Sequence, residues 1–220
     1  MMLRFSIRIA FAVALLTLAC PPSRAADPLD DVIEPVAGRT ACFSRVYDPA
    51  HLKAHPKQKT TAMTVWLKYE TVGDSNPATV LAMSLAITHR GDPAVMFSQG
   101  GCEWSEGANR DTSNNRLIKA YSRESGYVCM QSARPDVFEA VSAQEGGSLI
   151  INRGKDRDTL MVYLDDELIV VKRANRGKLI GLRFGADDRV FLLRRTDTKD
   201  CAAVEEAVTT PEPGVARQQR

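Results

Sequence analysis

Apolar and polar residues alternate with a period of two along most of this chain. In residues 61–70, Met63, Val65, Leu67 and Tyr69 oppose Thr64, Trp66, Lys68 and Glu70. In residues 79–88, Leu81, Met83, Leu85 and Ile87 share one face, and the other carries Val80, Ala82, Ser84 and Ala86. Residues 159–164, 167–173, 178–184 and 189–195 are further short runs rich in Val, Ile, Leu, Tyr and Phe. Turn chemistry separates them at Gly154-Lys155-Asp156, Asp165-Asp166 and Gly185-Ala186-Asp187-Asp188. Short alternating strands with tight polar turns predict an all-β fold with minor helix, an antiparallel sandwich or barrel. The acids of those turns are expected to bond their own backbone.

Two short helices interrupt the strands. Asp48 suits an N-cap, Pro49 the first helical position, and Pro56 ends the segment, so a helix is expected near 49–55. Pro135 opens a second near 135–141. The two helices expose an internal correspondence. From Pro49, Leu52, Ala54, Met63 and Val65 follow at the offsets at which Phe138, Ala140, Leu149 and Ile151 follow Pro135. A cysteine precedes each proline, Cys42 and Cys129, and a late strand runs into Cys102 and Cys201. The expectation is two duplicated, disulfide-stapled halves, residues 39–103 and 126–204, within one β-rich domain of residues 39–204. Cys129 sits one residue nearer its proline than Cys42 does.

The ends of the chain read differently. Arg4 and Arg8 precede an apolar run from Ile9 to Ala19, followed by Pro21, Pro22 and Ser23-Arg24-Ala25. The run is too short to span a bilayer, which takes about 20 residues. Small residues at 23 and 25 suit a signal peptidase, so residues 1–25 are expected to be a secretory signal peptide. The mature protein is then periplasmic or secreted, with no transmembrane span. Leu16-Thr17-Leu18-Ala19-Cys20 resembles a lipoprotein box, and the alternative is a lipid anchor at Cys20. Residues 26–38 are expected to form an extended lead-in and residues 205–220 a disordered tail.

Export changes the charge and cysteine arithmetic. Losing residues 1–25 removes three of the 29 basic residues and none of the 27 acids, leaving a net charge of −1. Near-neutrality gives no reason to expect nucleic acid as a partner. Of five cysteines, four remain: Cys42, Cys102, Cys129 and Cys201. None stands in a C-x-x-C pair, and an even count in an oxidising compartment reads as two disulfides. The repeat favours Cys42–Cys102 and Cys129–Cys201.

Candidate chemistry is sparse. There is no G-x-S-x-G, no phosphate-binding glycine loop and no calcium-loop spacing. His51 and His55, four apart on the first helix, are the candidate metal ligands, with Asp48 or His89 to complete a set. The packing alternative is that these rings cover the core, because they align with Val137 and Val141. His89 itself reads as a loop residue. Trp104, with Glu103, Glu106 and Arg110 beside a disulfide cysteine in a glycine-bracketed segment, is the candidate ligand-binding set. Trp66, on the polar face of its strand, either joins it as an exposed binding residue or belongs to a second core layer.

The function expected from this is non-enzymatic: an exported β protein, without cofactor, that binds an unknown protein or small ligand in the cell envelope. The alternative is a metal-binding protein or metalloenzyme using His51 and His55. A hydrolase built from scattered carboxylates is a third reading.

Overall fold

The computed structural model describes residues 29–105, 126–132, 146–172, 178–185 and 187–209. The expected signal peptide with Cys20, the second helix near 135–141, Glu106, Arg110 and residues 210–220 lie outside them.

Among the described residues ten strands form: β1 (Thr40–Val46), β2 (Thr60–Val72), β3 (Ala78–His89), β4 (Asp92–Ser105), β5 (Gly126–Ser132), β6 (Ser148–Arg153), β7 (Thr159–Leu164), β8 (Glu167–Lys172), β9 (Lys178–Arg183) and β10 (Val190–Thr196). Helix α1 (Pro49–Ala54) joins β1 to β2, and α2 (Ala202–Thr209) follows β10. Eight strands pair antiparallel in the order β3-β2-β1-β10-β7-β6-β5-β4, and a β3–β4 ladder closes the ring into a barrel. The remaining hairpin, β8–β9, branches from β4. The long β4 pairs with β5 over Gln99–Ser105 and with β8 through Met96 and Phe97.

The period-two pattern is the cross-section of this barrel. Phe43, Val65 and Leu85 pair across β1, β2 and β3 and face inward, as do Leu81, Leu149 and Leu164. An eight-stranded barrel is just wide enough for side chains to fill it, and Phe43, Met63, Leu85, Leu149, Val162 and Leu193 have no exposed surface.

The small outer face of β3 has a use that the alternation alone does not reveal. Helix α2 lies over it, placing Val204 against Trp66, Ala86 and the Cys42–Cys201 disulfide. Large side chains at Ala82, Ser84 and Ala86 would hold the helix off. Trp66, 5% exposed, is therefore in a second layer of core outside the barrel. Residues 202–209 are thus helical, where the disordered tail was expected to begin at 205. An isolated helix of this length is marginal in water, and this one holds because a disulfide and an apolar seat tether it.

The extended lead-in is also corrected. The Val32 and Ile33 N–H groups both bond the Leu29 carbonyl, making a tight turn. Its Leu29, Val32 and Ile33 side chains are buried in the main core, at the barrel end where Arg195 donates to the Val32 carbonyl. Arg153 pairs with Asp31 there.

All four body cysteines are in disulfides, but the expected pairing is wrong. The bonds are Cys42–Cys201 and Cys102–Cys129, so both run between the halves and neither staples one half to itself. The cause is the one-residue offset. Cys42 is the residue before inward-facing Phe43 and points out of the barrel, whereas Cys129 clusters with Leu149 and Leu164 inside. A slip of one residue moves a strand side chain to the other face. Cys129 is the direct cross-strand partner of Cys102 on β4, and outward Cys42 meets the start of α2. The corresponding pairs Met63/Val65 and Leu149/Ile151 do share the inward orientation.

Candidate functional site: a polar cluster beneath helix α1

Helix α1 crosses the barrel end opposite the Leu29–Ile33 turn. Asp48 caps it, accepting the His51 N–H at 2.8 Å, and Pro49 occupies its first position. That bond holds the exposed Asp48 carboxyl below the usual carboxylate range. The far end of α1 is capped by Arg90, whose Nη2 donates to the Leu52 and His55 carbonyls, a cation at a helix C-terminus.

Beneath the helix lies a set of polar residues. Asp188, fully buried, accepts the Thr60 N–H at Oδ1 (2.9 Å) and the Lys59 and Gly185 N–H groups at Oδ2 (2.7 and 2.9 Å). It ties the turn before β10 to the start of β2. Gly185 permits this closeness, since a Cβ there would stand 1.9 Å from the Lys57 carbonyl oxygen. Gln58 donates to the Thr60 carbonyl, which leaves its Oε1 to accept from His51 Nε2 at 3.0 Å. In that bond His51 Nε2–H is the donor, since an amide oxygen only accepts. Its ring stacks on His55 (4.4 Å) and meets Tyr47 at a tilt (4.7 Å). Tyr47 in turn meets the core at Phe191.

His89 is the last residue of β3, not a loop residue, and is the register partner of Thr60. Its ring meets Phe184 edge-on at 5.8 Å. His89 Nε2 and Thr60 Oγ1 are both buried without a hydrogen-bond partner in the structure.

Burial pushes the Tyr47 phenol up to about 12, with Arg45 opposing and Asp188 reinforcing. Burial draws the His89 imidazole down, against the pull of Asp188 and Asp92 and with Lys59 adding to the shift. The consequence for His89 has a definite sign. The unfolded chain takes up the proton as pH falls through about 6.5 and the folded chain resists it, so stability is full above that pH and declines below it. Urea midpoints at about pH 8 and pH 5 should differ in the wild type and differ less in His89→Gln. The Asp48 and Asp92 contributions are lost only below about pH 4, outside that window. An equal drop in both proteins would assign the acid sensitivity elsewhere.

This arrangement sets limits on the chemistry. Three of the roughly four acceptor directions of Asp188 are taken by backbone, and no bond from it to a His ring exists, so an acid–imidazole relay is not assembled. Among the described residues, no group of three His, Cys, Asp or Glu stands close enough to hold a metal ion. Of the expected completing ligands, Asp48 is committed to the helix cap, and His89 is the cross-strand neighbour of Thr60. Arg90 and Asp92 are likewise engaged, with Asp92 paired to Lys172 at 2.6 Å.

The other candidate residues lie apart. Trp104 is at the opposite barrel end, partly buried against the core and edge-on to Tyr127 at 5.5 Å. Its neighbour Glu103 is exposed. Trp66 is under α2 with Lys68 over its ring, so Trp104 and Trp66 do not form one surface. The acidic turns behave as expected: Asp156 accepts from Asp158 N–H and Thr159 Oγ1, and Asp165 from Asp166 N–H. Sequence reasoning missed Asp188, Gln58, Thr60 and Tyr47. Of these, Asp188 carried a signal as turn chemistry, and its Gly185 partner is local, but Thr60 and Lys59 lie at separations of 128 and 129 residues.

Compared with protein-family models, with curated proteins and with solved structures, the chain matches none of them.

Proposed function

We propose that this is an exported, non-enzymatic binding protein of the cell envelope or the secreted fraction, holding a macromolecule or small ligand on its outside. The observation that carries the reading is the filled barrel. Among the described residues, interior side chains with no accessible surface, and a Cys102–Cys129 bond among them, fill the space that holds a ligand in other eight-stranded barrels. Binding then falls to the ends and the outer faces. Two disulfides support an oxidising compartment, as does the N-terminal apolar run. No helix among the described residues is long and apolar enough to cross a membrane.

The test is recovery of the native protein by osmotic shock, followed by intact mass and native size. The expected result is a chain starting near Ala26 with two disulfides, in a complex larger than its own mass. A cytosolic chain with four free thiols overturns export. Turnover of a hydrolysable substrate, lost on replacing an acid pair, overturns the non-enzymatic reading.

His51 and His55, adjacent at α1 with ring centres 4.4 Å apart, carry a second reading, a metal-binding end. Elemental analysis of the purified protein decides it. Stoichiometric zinc, copper or nickel, lost in His51→Ala, would put that reading first.

A further inference from the structure

Strand β9 reaches the barrel through side chains and not through a ladder. Among the described residues its backbone pairs with β8 alone, and β8 pairs with β4 at Met96↔Lys172 and Phe97↔Val171. At the far end of β9, Leu182 and Phe184 pack into the main core. The chain then turns through Gly185 to Asp188. The bonds on this segment are Phe184 N–H to the Asp166 carbonyl, Gly185 N–H to Asp188 Oδ2, and a long one, 3.4 Å, from Lys59 Nζ to the Arg183 carbonyl.

Phe184 rests on His89. Their rings meet edge-on, and the buried Nε2 of His89 has no hydrogen-bond partner. A neutral imidazole suits that apolar contact. An imidazolium does not, because a buried cation without a partner is costly. The charged groups that face His89 are Asp188 from the turn before β10, Lys59 from just before β2, and Asp92 from β4. Lys59 repels an imidazolium. Asp92 is held by Lys172. Asp188 attracts it most, but its oxygens already accept the Thr60, Lys59 and Gly185 N–H groups. A proton on His89 thus has two routes to relief. One is water, reached when Phe184 lifts away. The other is the Asp188 carboxylate, reached when it lets go of backbone. Both loosen the same segment, because Gly185 follows Phe184 and is bonded to Asp188.

We propose that His89 is an acid-sensitive latch. Neutral, it seats Phe184 and keeps residues 183–185 closed on the barrel; protonated, it lets them open. Burial in the closed form disfavours the imidazolium, and opening hydrates it. The open form therefore takes up the proton more readily and gains as pH falls through about 6.5.

The experiment is native-state amide exchange on the disulfide-bonded protein, read as protection factors at about pH 7.5 and pH 5, either side of the ordinary imidazole value. The Phe184 and Gly185 amides are expected to lose protection severalfold at the lower pH. Their opening should depend little on urea, since a local event exposes little surface. His89→Gln, which carries no charge at either pH, should hold them at their protected level. Phe184→Ala uncovers His89, so the imidazole titration followed by proton NMR should move up towards about 6.5. Exchange of both amides at the rate and with the urea dependence of the β1–β2 ladder would mean that they open only when the whole protein unfolds, and overturns the latch. Protection undiminished at pH 5 overturns it too, as does an acid response that survives in His89→Gln. A His89 titration unmoved in Phe184→Ala does the same. If Phe184→Ala does not fold, the wild-type and His89→Gln exchange data decide the question without it.

Discussion

Replacing Asp188 with alanine is expected to destabilise the protein by about 3–5 kcal/mol. The carboxylate is the acceptor for three backbone N–H groups, those of Lys59, Thr60 and Gly185. Truncation leaves all three without it, and each buried unpaired donor costs about 1–3 kcal/mol. Thr60 is fully buried, so water cannot take the place of the lost oxygen there. Lys59 and Gly185 are less enclosed, which keeps the total below the sum of three full penalties. The damage should spread to the end of the barrel, because the same bonds seat Thr60 opposite His89 and fix the segment carrying Gln58. Urea unfolding followed by circular dichroism measures the loss. Asp188→Asn, which keeps one acceptor oxygen, should fall between wild type and alanine. A cost under about 1 kcal/mol for alanine would mean that solvent reaches the site and that Asp188 does not hold this end closed.

The second large effect belongs to the Cys42–Cys201 bond. It closes a loop of 159 residues, and Cys102–Cys129 one of 27. By loop-closure entropy the first contributes about 5 kcal/mol and the second about 3.5. Removing Cys42–Cys201 also frees α2 from its anchor, so the burial of Val204 and Trp66 weakens with it. The double variant Cys42→Ala/Cys201→Ala is therefore expected to be the less stable of the two double variants in denaturant. It alone should raise the accessibility of Trp66 to a fluorescence quencher. If Cys102→Ala/Cys129→Ala proves the more costly, the interior packing of that bond outweighs the loop it closes.

Local physics was legible without coordinates. The strand faces of residues 61–70 and 79–88, the Asp48–Pro49 helix start and the commitment of all four cysteines to disulfides follow from side-chain period, backbone preference and redox chemistry. What failed shares one cause. Trp66 was open between core and surface because alternation says which residues share a face and not what covers that face. Helix α2 was missed because its stability comes from its seat on β3. The Leu29–Ile33 turn was missed because its three apolar residues find their partners at a barrel end made of distant strands.

The polar cluster was legible in pieces. His51 and His55 stood out by spacing and Asp188 by its turn, but nothing adjacent in the chain links them to Thr60 and His89.

The sequence by itself determined an all-β chain, the inward and outward sides of its principal strands, and two disulfides among four cysteines. Tertiary structure alone decided that the strands close into a barrel through β3 and β4, which cysteine meets which, and which groups gather beneath α1. The physical reason is that a side chain's face is set by its immediate neighbours, whereas its partner is set by the circular order and register of strands far apart in the chain. The single-residue offset of Cys129 was visible from the start, and its meaning depended on there being an inside to point to.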